Sequence, residues 1–252
     1  MLTVHDQWRV FRAVFARSKF SKPKRPVDHR CVTLPIISRT YAPLAEIDFN
    51  LHKSNSTYLS DTDVARAHLA TLLVGDHVAT SPWSTNPRLL LGGIQIIWRK
   101  EIKPYTEYEV WTRILTWNEK WIYGVTHFVE KGAFKPALYL QDPKVSEEQA
   151  DRIVAASAEK AKDLRESHGR KVYASVVSRV TPRAGRQLVK PEELLARAGL
   201  VPSDPKALAQ IEEKRLKYLE LVEKGGAWDG LHGVFFDNTD LALGRYTDLL
   251  TR

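Results

Sequence analysis

The residues that best suit acid–base chemistry lie in one polar segment, 46–55, which reads Glu-Ile-Asp-Phe-Asn-Leu-His-Lys-Ser-Asn. A carboxylate such as that of Asp48 can serve as a general base or as a nucleophile. If a helix starts directly after the segment, its first backbone amides can polarise a carbonyl oxygen, because they have no acceptor within the helix. By itself, the segment is more typical of a turn at Asp48 followed by an ordinary helix cap at Ser54 or Asn55.

A long, largely buried helix is predicted directly after this segment. Ser54, Asn55 and Ser56 are residue types that cap helix starts, and Gly75 is a typical helix stop. The apolar residues between these limits recur at helical spacing. The predicted buried face contains Tyr58, Val64, Ala65, Leu69, Leu72 and Leu73.

Strands are predicted on both sides of this helix in the sequence. β-Branched and aromatic residues indicate strands at 31–41, 89–102, 108–117, 121–129 and 171–180, with a hairpin turn at 118–120. Large side chains alternate on both faces of 108–117, so a helix must cover one face of the sheet and something else, such as another subunit, the other. The order of elements predicts an α+β fold, with one long helix across a mostly antiparallel sheet.

The 252 residues divide into three predicted regions. Residues 1–30 are predicted to form a basic amphipathic helix and a linker. Residues 31–189 form the predicted central domain, with a helical insertion at about 135–169. Within the insertion, the capping-box pattern Ser146-Glu147-Glu148-Gln149 opens a polar helix that stops before Gly169. Residues 190–252 are predicted to form a helical C-terminal extension, whose aromatic residues pack back onto the domain.

The net charge of +8 is concentrated near the N-terminus. Residues 1–30 hold eight basic and two acidic residues, whereas the other 222 residues hold 30 basic and 28 acidic ones. This nearly balanced body argues against a nucleic-acid partner. Three interpretations of the basic segment stay open: a helix packed on the body, a peripheral membrane contact through residues 1–18, and an Arg-rich targeting sequence.

The sequence lacks the signals of membrane spans and disulfides. No stretch of 18 apolar residues predicts a membrane span, and no apolar run near the N-terminus predicts a secretory signal. We therefore expect an intracellular protein, cytoplasmic unless residues 1–18 direct it to a membrane surface or an organelle. The single cysteine, Cys31, excludes an intramolecular disulfide and a multi-cysteine zinc site, and it is predicted to be a core residue.

The polar segment and the residues after it resemble the opening of acyl thioesterases with the hotdog fold, of the 4-hydroxybenzoyl-CoA type. The motif is Asp48-Phe49-Asn50-Leu51-His52-Lys53-Ser54-Asn55-Ser56-Thr57-Tyr58-Leu59, continued by Asp63-Val64-Ala65-Arg66. It is most similar to the thioesterase superfamily member 6 group and its fungal relatives, where a Trp-containing hairpin follows, as in Trp117-Asn118-Glu119-Lys120-Trp121. The family commonly has glycine where Leu51 stands, and the first asparagine of a pair where Ser54 stands.

This resemblance covers about residues 31–132 and 171–180, and it implies an antiparallel sheet wrapped around one central helix. It implies hydrolysis of an acyl-CoA or acyl-carrier-protein thioester by a homodimer or higher homo-oligomer, without metal or cofactor. Four basic residues would either meet the phosphates of CoA or be solvated charge at a strand edge: Lys171, Arg179, Arg183 and Arg186. Two alternatives stay open, a non-catalytic hotdog protein that binds acyl chains or a membrane surface, and a hotdog enoyl hydratase or dehydratase.

The resemblance also assigns roles to seven residues of the motif. Asp48 stands at the catalytic carboxylate position, as general base or nucleophile. The oxyanion would be held by the backbone amides of Asn55, Ser56 and Thr57. The residues that would order the loop or line the acyl channel are Asn50, His52 and Tyr58.

Overall fold

The computed structural model describes residues 23, 25–79, 83–146, 148–149, 152–153, 168–224 and 228–247. Its helices are α1 (Asn55–Val74), α2 (Pro191–Arg197), α3 (Pro205–Glu223) and α4 (Trp228–Gly233). Its strands are β1 (Ile36–Tyr41), β2 (Arg88–Trp98), β3 (Glu107–Trp117), β4 (Ile122–Glu130), β5 (Leu138–Tyr139), β6 (Val172–Ala184), β7 (Gln187–Leu188), β8 (Leu241–Ala242) and β9 (Gly244–Thr247). Short 3-10 helices lie at His29–Cys31, Leu44–Glu46, Gly169–Lys171 and Val234–Asn238.

A seven-stranded sheet forms the body of the molecule, in the order β2-β6-β4-β3-β1-β9, with the short β7 paired to β6. Neighbouring strands are antiparallel, except that β9 runs parallel to β1. The β3–β4 hairpin turns as predicted, because the Asn118 side-chain oxygen accepts hydrogen bonds from the amides of Lys120 (3.0 Å) and Trp121 (2.7 Å). The short strands β5 and β8 pair separately.

The helix α1 lies across this sheet and packs on β1, β3 and β4. Its bounds match the predicted start at the Ser54–Ser56 caps and the predicted stop at Gly75. All six residues predicted for its buried face are buried. A mostly antiparallel sheet around one long helix is the hotdog arrangement, so the predicted α+β fold is confirmed.

The opposite face of the sheet is covered by the chain's own C-terminal part. Leu115 of β3 packs with Tyr218 of α3 and Leu231 of α4. Trp111, also on β3, meets the Phe235 ring edge-on, with 5.3 Å between ring centroids. The second cover predicted from the sequence is therefore supplied within the chain, and this face needs no other subunit.

Several details of the predicted secondary structure are wrong. The strand predicted at 171–180 runs on to Ala184, and β5 lies within the insertion predicted to be helical. The first strand begins at Ile36 rather than residue 31, because Asp28 caps a 3-10 turn at His29–Cys31. The strand β2 ends at Trp98 rather than residue 102, because the amides of Arg99 and Lys100 turn to the carbonyl oxygen of Tyr173 (2.8 and 3.0 Å). The C-terminal extension is not wholly helical, since β8 and β9 lie within it.

Two predicted helices fall largely outside the described residues: residues 1–22 of the N-terminal segment, and residues 154–167 of the insertion. The start of the insertion has the predicted capping box. The Ser146 amide donates to Gln149 Oε1 (3.0 Å), and the Gln149 amide donates to Ser146 Oγ (3.2 Å). None of the helices in the described ranges is long and apolar enough to cross a membrane.

Candidate active site

Asp48 lies on a tight loop between β1 and α1. The base of this loop is closed by a hydrogen bond from the Ser54 amide to the Glu46 carbonyl oxygen (2.8 Å), and Asp48 N donates to the His52 carbonyl oxygen (3.0 Å). Leu51, near the tip, has a φ of 63°, in the left-handed region. Glycine adopts this conformation most easily. The backbone thus gives a physical reason for the glycine that the resembled family commonly has here.

The Asp48 carboxylate is held by its own loop. Its Oδ1 atom accepts a hydrogen bond from the Asn50 amide (2.9 Å) and lies 3.5 Å from His52 Nδ1. Within the described part of the chain, no hydrogen bond to Oδ2 is found. The side chain is 22% exposed, so solvent or a substrate can reach part of it. The loop therefore presents a partly shielded carboxylate with one oxygen anchored and the other available.

The first turn of α1 follows the loop directly. Ser54 is the N-cap residue, but its side chain makes no capping hydrogen bond to the helix. The Thr57 amide donates to the Ser54 carbonyl oxygen (3.0 Å). Amides in the first turn of an α-helix lack partners within the helix, so those of Asn55 and Ser56 stay available to a bound oxygen. Of the three predicted oxyanion amides, Thr57 is the one that the fold already engages.

A buried charged cluster beneath the loop was missed by the sequence analysis. The Lys53 side chain is fully buried, and its ammonium pairs with Glu46 and, at 3.0 Å, with Asp61 Oδ2. The Tyr108 hydroxyl donates to the same Asp61 oxygen (2.5 Å). We call these four residues the Lys53 cluster. It joins both ends of the loop to α1 and β3, and so fixes where Asp48 lies.

One signal of this cluster is present in the sequence. Asp61 lies three residues after Tyr58 and four before Ala65, so it occupies the apolar face of α1. A carboxylate on a buried helix face must be paired, because burying an uncompensated charge is costly. Its partners could not be found by spacing, since Tyr108 is 47 residues away in the chain.

Tyr58, predicted to line an acyl channel, is a buried core residue. Its ring lies edge-on to Phe128, with 4.8 Å between centroids, and near Trp98, at 6.4 Å. Burial raises the pKa of its hydroxyl, since the charged form would lose its hydration. The ring therefore joins α1 to the sheet.

The contacts of three other candidate residues, Cys31, Lys171 and Arg179, indicate structural roles. Cys31 is buried, which raises the pKa of its thiol to about 12 and confirms the prediction of a core residue. Lys171 pairs with Glu130 (2.5 Å), and the Arg179 guanidinium stacks on the Trp121 ring at 4.8 Å. In the described ranges, no three His, Cys, Asp or Glu side chains are grouped as metal ligands.

Comparisons with known proteins point to one family. The chain is 32% identical over 223 residues to the thioesterase poxG of Penicillium oxalicum, and this alignment covers 79% of this chain and 69% of that protein. It is 33% identical over 244 residues to the probable thioesterase atnL of Emericella nidulans, covering 82% and 72%. Protein THEM6 of Xenopus laevis is 28% identical over 111 residues, covering 43% and 52%.

No protein-family model matches the chain. Among solved structures, a thioesterase superfamily protein from Jannaschia sp. CCS1 is similar, with a TM-score of 0.43 and 13% identity. That similarity covers 64% of this chain and 79% of the other.

Proposed function

The chain belongs to the family of thioesterases with the hotdog fold, and we propose that it hydrolyses an acyl-CoA or acyl-carrier-protein thioester with Asp48 as the catalytic carboxylate. One observation carries this proposal. The loop closed between Glu46 and Ser54 carries Asp48 and leads directly into the first turn of α1, where the Asn55 and Ser56 amides lack a partner within the helix. A carboxylate and two converging donors are what hydrolysis of an activated carbonyl requires.

The thioester would bind with its carbonyl oxygen at the amides of Asn55 and Ser56. These amides stabilise the negative charge that develops on this oxygen when the carbonyl carbon is attacked, and the positive end of the α1 dipole adds to the effect. Because they are backbone groups of a packed helix, they need no reorganisation during the reaction. His52, 3.5 Å from Asp48 Oδ1, orients the carboxylate towards the carbonyl carbon.

The chemical step follows from the anchored carboxylate. Asp48 accepts a proton from a water molecule as the water oxygen bonds to the thioester carbon. The tetrahedral intermediate then collapses, the carbon–sulfur bond breaks, and the departing thiolate receives the proton from Asp48. In a second route, Asp48 attacks the carbon itself and the carbon–sulfur bond breaks to release the thiolate. Water then hydrolyses the resulting mixed anhydride, which regenerates the Asp48 carboxylate and supplies the proton that the thiolate takes up. Both routes require the ionised carboxylate, and both yield a free acid and a thiol.

We also propose that the active form is a homodimer joined through β2. This eleven-residue strand forms one edge of the main sheet and carries the half-exposed side chains of Leu90, Leu91 and Trp98. A long, apolar edge strand is a template for pairing with another chain. Pairing two copies of β2 would bury these side chains and join the two sheets.

The catalytic proposal is tested by comparing Asp48→Asn with wild type on a panel of aliphatic and aromatic acyl-CoA thioesters. We expect kcat to fall by about 100-fold or more, because a positioned general base typically contributes factors of that order. Asp63→Asn is the matched control, since this α1 carboxylate pairs with Arg66 on the helix surface (2.6 Å). The control should keep wild-type kcat.

Two results would contradict the proposal. Full activity of Asp48→Asn would exclude both chemical routes. Absence of thiol release by wild type, from the whole CoA panel and from the same acyl groups on a carrier protein, would exclude the proposed substrates and favour acyl binding without turnover.

A further inference from the structure

A cleft of about 580 Å³ lies next to the end of β2. It is bounded by the turn after β2 and the start of β6, and its lining residues are Arg99, Lys100, Glu101, Lys103, Thr106 and Tyr173. The turn is tied to the Asp48 loop, because the Ile102 carbonyl oxygen accepts a hydrogen bond from the Lys53 amide (2.8 Å). The turn that bounds the cleft therefore contacts the loop that carries Asp48.

The charges in this cleft differ from those around it. Lys100 and Lys103 form no ion pair with any residue in the described ranges, whereas the nearby Lys131 and Lys171 each pair with a glutamate. The lining set holds three cationic side chains and one carboxylate. Cations that converge on a concave surface raise the local concentration of an anionic ligand.

The turn that carries these lysines is held in place. The amides of Arg99 and Lys100 both donate to the Tyr173 carbonyl oxygen, at 2.8 and 3.0 Å, and the Thr106 amide donates to the Lys103 carbonyl oxygen (3.2 Å). The Lys100 ammonium lies 5.2 Å from the centroid of the Tyr173 ring. An anion bound here would meet lysines whose backbone positions are already fixed, which lowers the entropy cost of binding.

We propose that Lys100 and Lys103 bind a phosphate of the group that carries the acyl chain. This inference rests on the proposed thioester hydrolysis, because such substrates bring phosphate to the site. Both CoA and a carrier protein attach the acyl group through a pantetheine arm that ends in a phosphate, and CoA adds the phosphates of its nucleotide. An ammonium–phosphate contact is a charge-assisted hydrogen bond, stronger than one between neutral groups.

The test compares Lys100→Gln/Lys103→Gln with wild type on one acyl group attached to CoA, to 4′-phosphopantetheine and to phosphate-free pantetheine. We expect KM for acyl-CoA to rise about 10- to 100-fold with kcat unchanged, since two charge-assisted contacts are removed. The kcat/KM for acyl-pantetheine should stay at the wild-type value. The matched control, Lys131→Gln/Lys224→Gln, removes two lysines that each pair with a glutamate outside the cleft. It should change neither the KM for acyl-CoA nor the kcat/KM for acyl-pantetheine.

The comparison of the three substrates also identifies which phosphate is bound. An equal loss with acyl-4′-phosphopantetheine assigns the contact to the arm phosphate that CoA and carrier proteins share, whereas a loss confined to acyl-CoA assigns it to the nucleotide. An unchanged KM for acyl-CoA, or an equal loss with acyl-pantetheine, overturns the inference. If wild type hydrolyses none of the three, nor any thioester of the CoA panel or of the carrier protein, the proposed function fails. Calorimetric titration with CoA then decides about the cleft: at least tenfold weaker binding by the double variant supports the phosphate contact, and equal or absent binding overturns it.

Discussion

The Lys53 cluster makes a strong prediction about stability. Lys53→Met keeps most of the side-chain volume but removes the ammonium that pairs with the buried carboxylates of Glu46 and Asp61. Breaking a buried ion pair from one side costs about 3–5 kcal/mol. For a domain of this size, about 1 kcal/mol lowers Tm by roughly 2–4 °C. We therefore expect Tm to fall by roughly 6–20 °C in this variant, and the free energy of unfolding to fall by about 3–5 kcal/mol.

The assay is thermal and urea unfolding followed by circular dichroism, with two comparison variants. Lys131→Met removes a lysine that pairs with Glu107 at the surface, and such pairs contribute about 1 kcal/mol or less. The triple variant Lys53→Met/Glu46→Gln/Asp61→Asn removes all three charges, and should regain most of the stability because no buried carboxylate stays unpaired. If Lys53→Met loses no more stability than Lys131→Met, the cluster does not hold the loop as argued.

The remaining predictions concern pH and assembly. Burial, and to a smaller extent the charges of Arg113 and His232, hold the pKa of His127 well below 6.5. Below pH 6.5 the imidazole is therefore protonated in the unfolded chain but not in the folded one. The free energy of unfolding decreases as the pH is lowered, by at most about 1.4 kcal/mol per pH unit. Urea unfolding between pH 8 and 5 should show a shallower loss for His127→Gln, and identical slopes would contradict this origin. Light scattering should give twice the 28.7 kDa chain mass. Leu91→Lys on β2 should lower the measured mass, whereas Leu216→Lys on α3 should leave it unchanged. A monomeric mass for wild type would refute the β2 dimer.

The parts of the fold that were predicted correctly depend on local patterns. The caps at Ser54–Ser56, the stop at Gly75 and the helical repeat between them locate α1 because each acts within a few residues. The strand β9 was not predicted, because its pairing with β1 depends on a partner about 200 residues away. The end of β2 was misplaced for a similar reason, since the carbonyl oxygen that turns Arg99 out of the strand belongs to Tyr173.

In the candidate site, too, residues that are neighbours in sequence could be predicted, whereas residues from separate elements could not. The groups proposed for the chemistry, Asp48 and the first amides of α1, are neighbours in sequence, so a motif of a dozen residues can indicate them. The groups that support them come from separate elements: the Lys53 cluster includes Tyr108 of β3. Lys100, one of the two proposed phosphate contacts, lies on a turn that the sequence pattern assigned to a strand. Reaction type is therefore accessible from a local motif, whereas the rigidity of the site depends on contacts that only the folded chain creates.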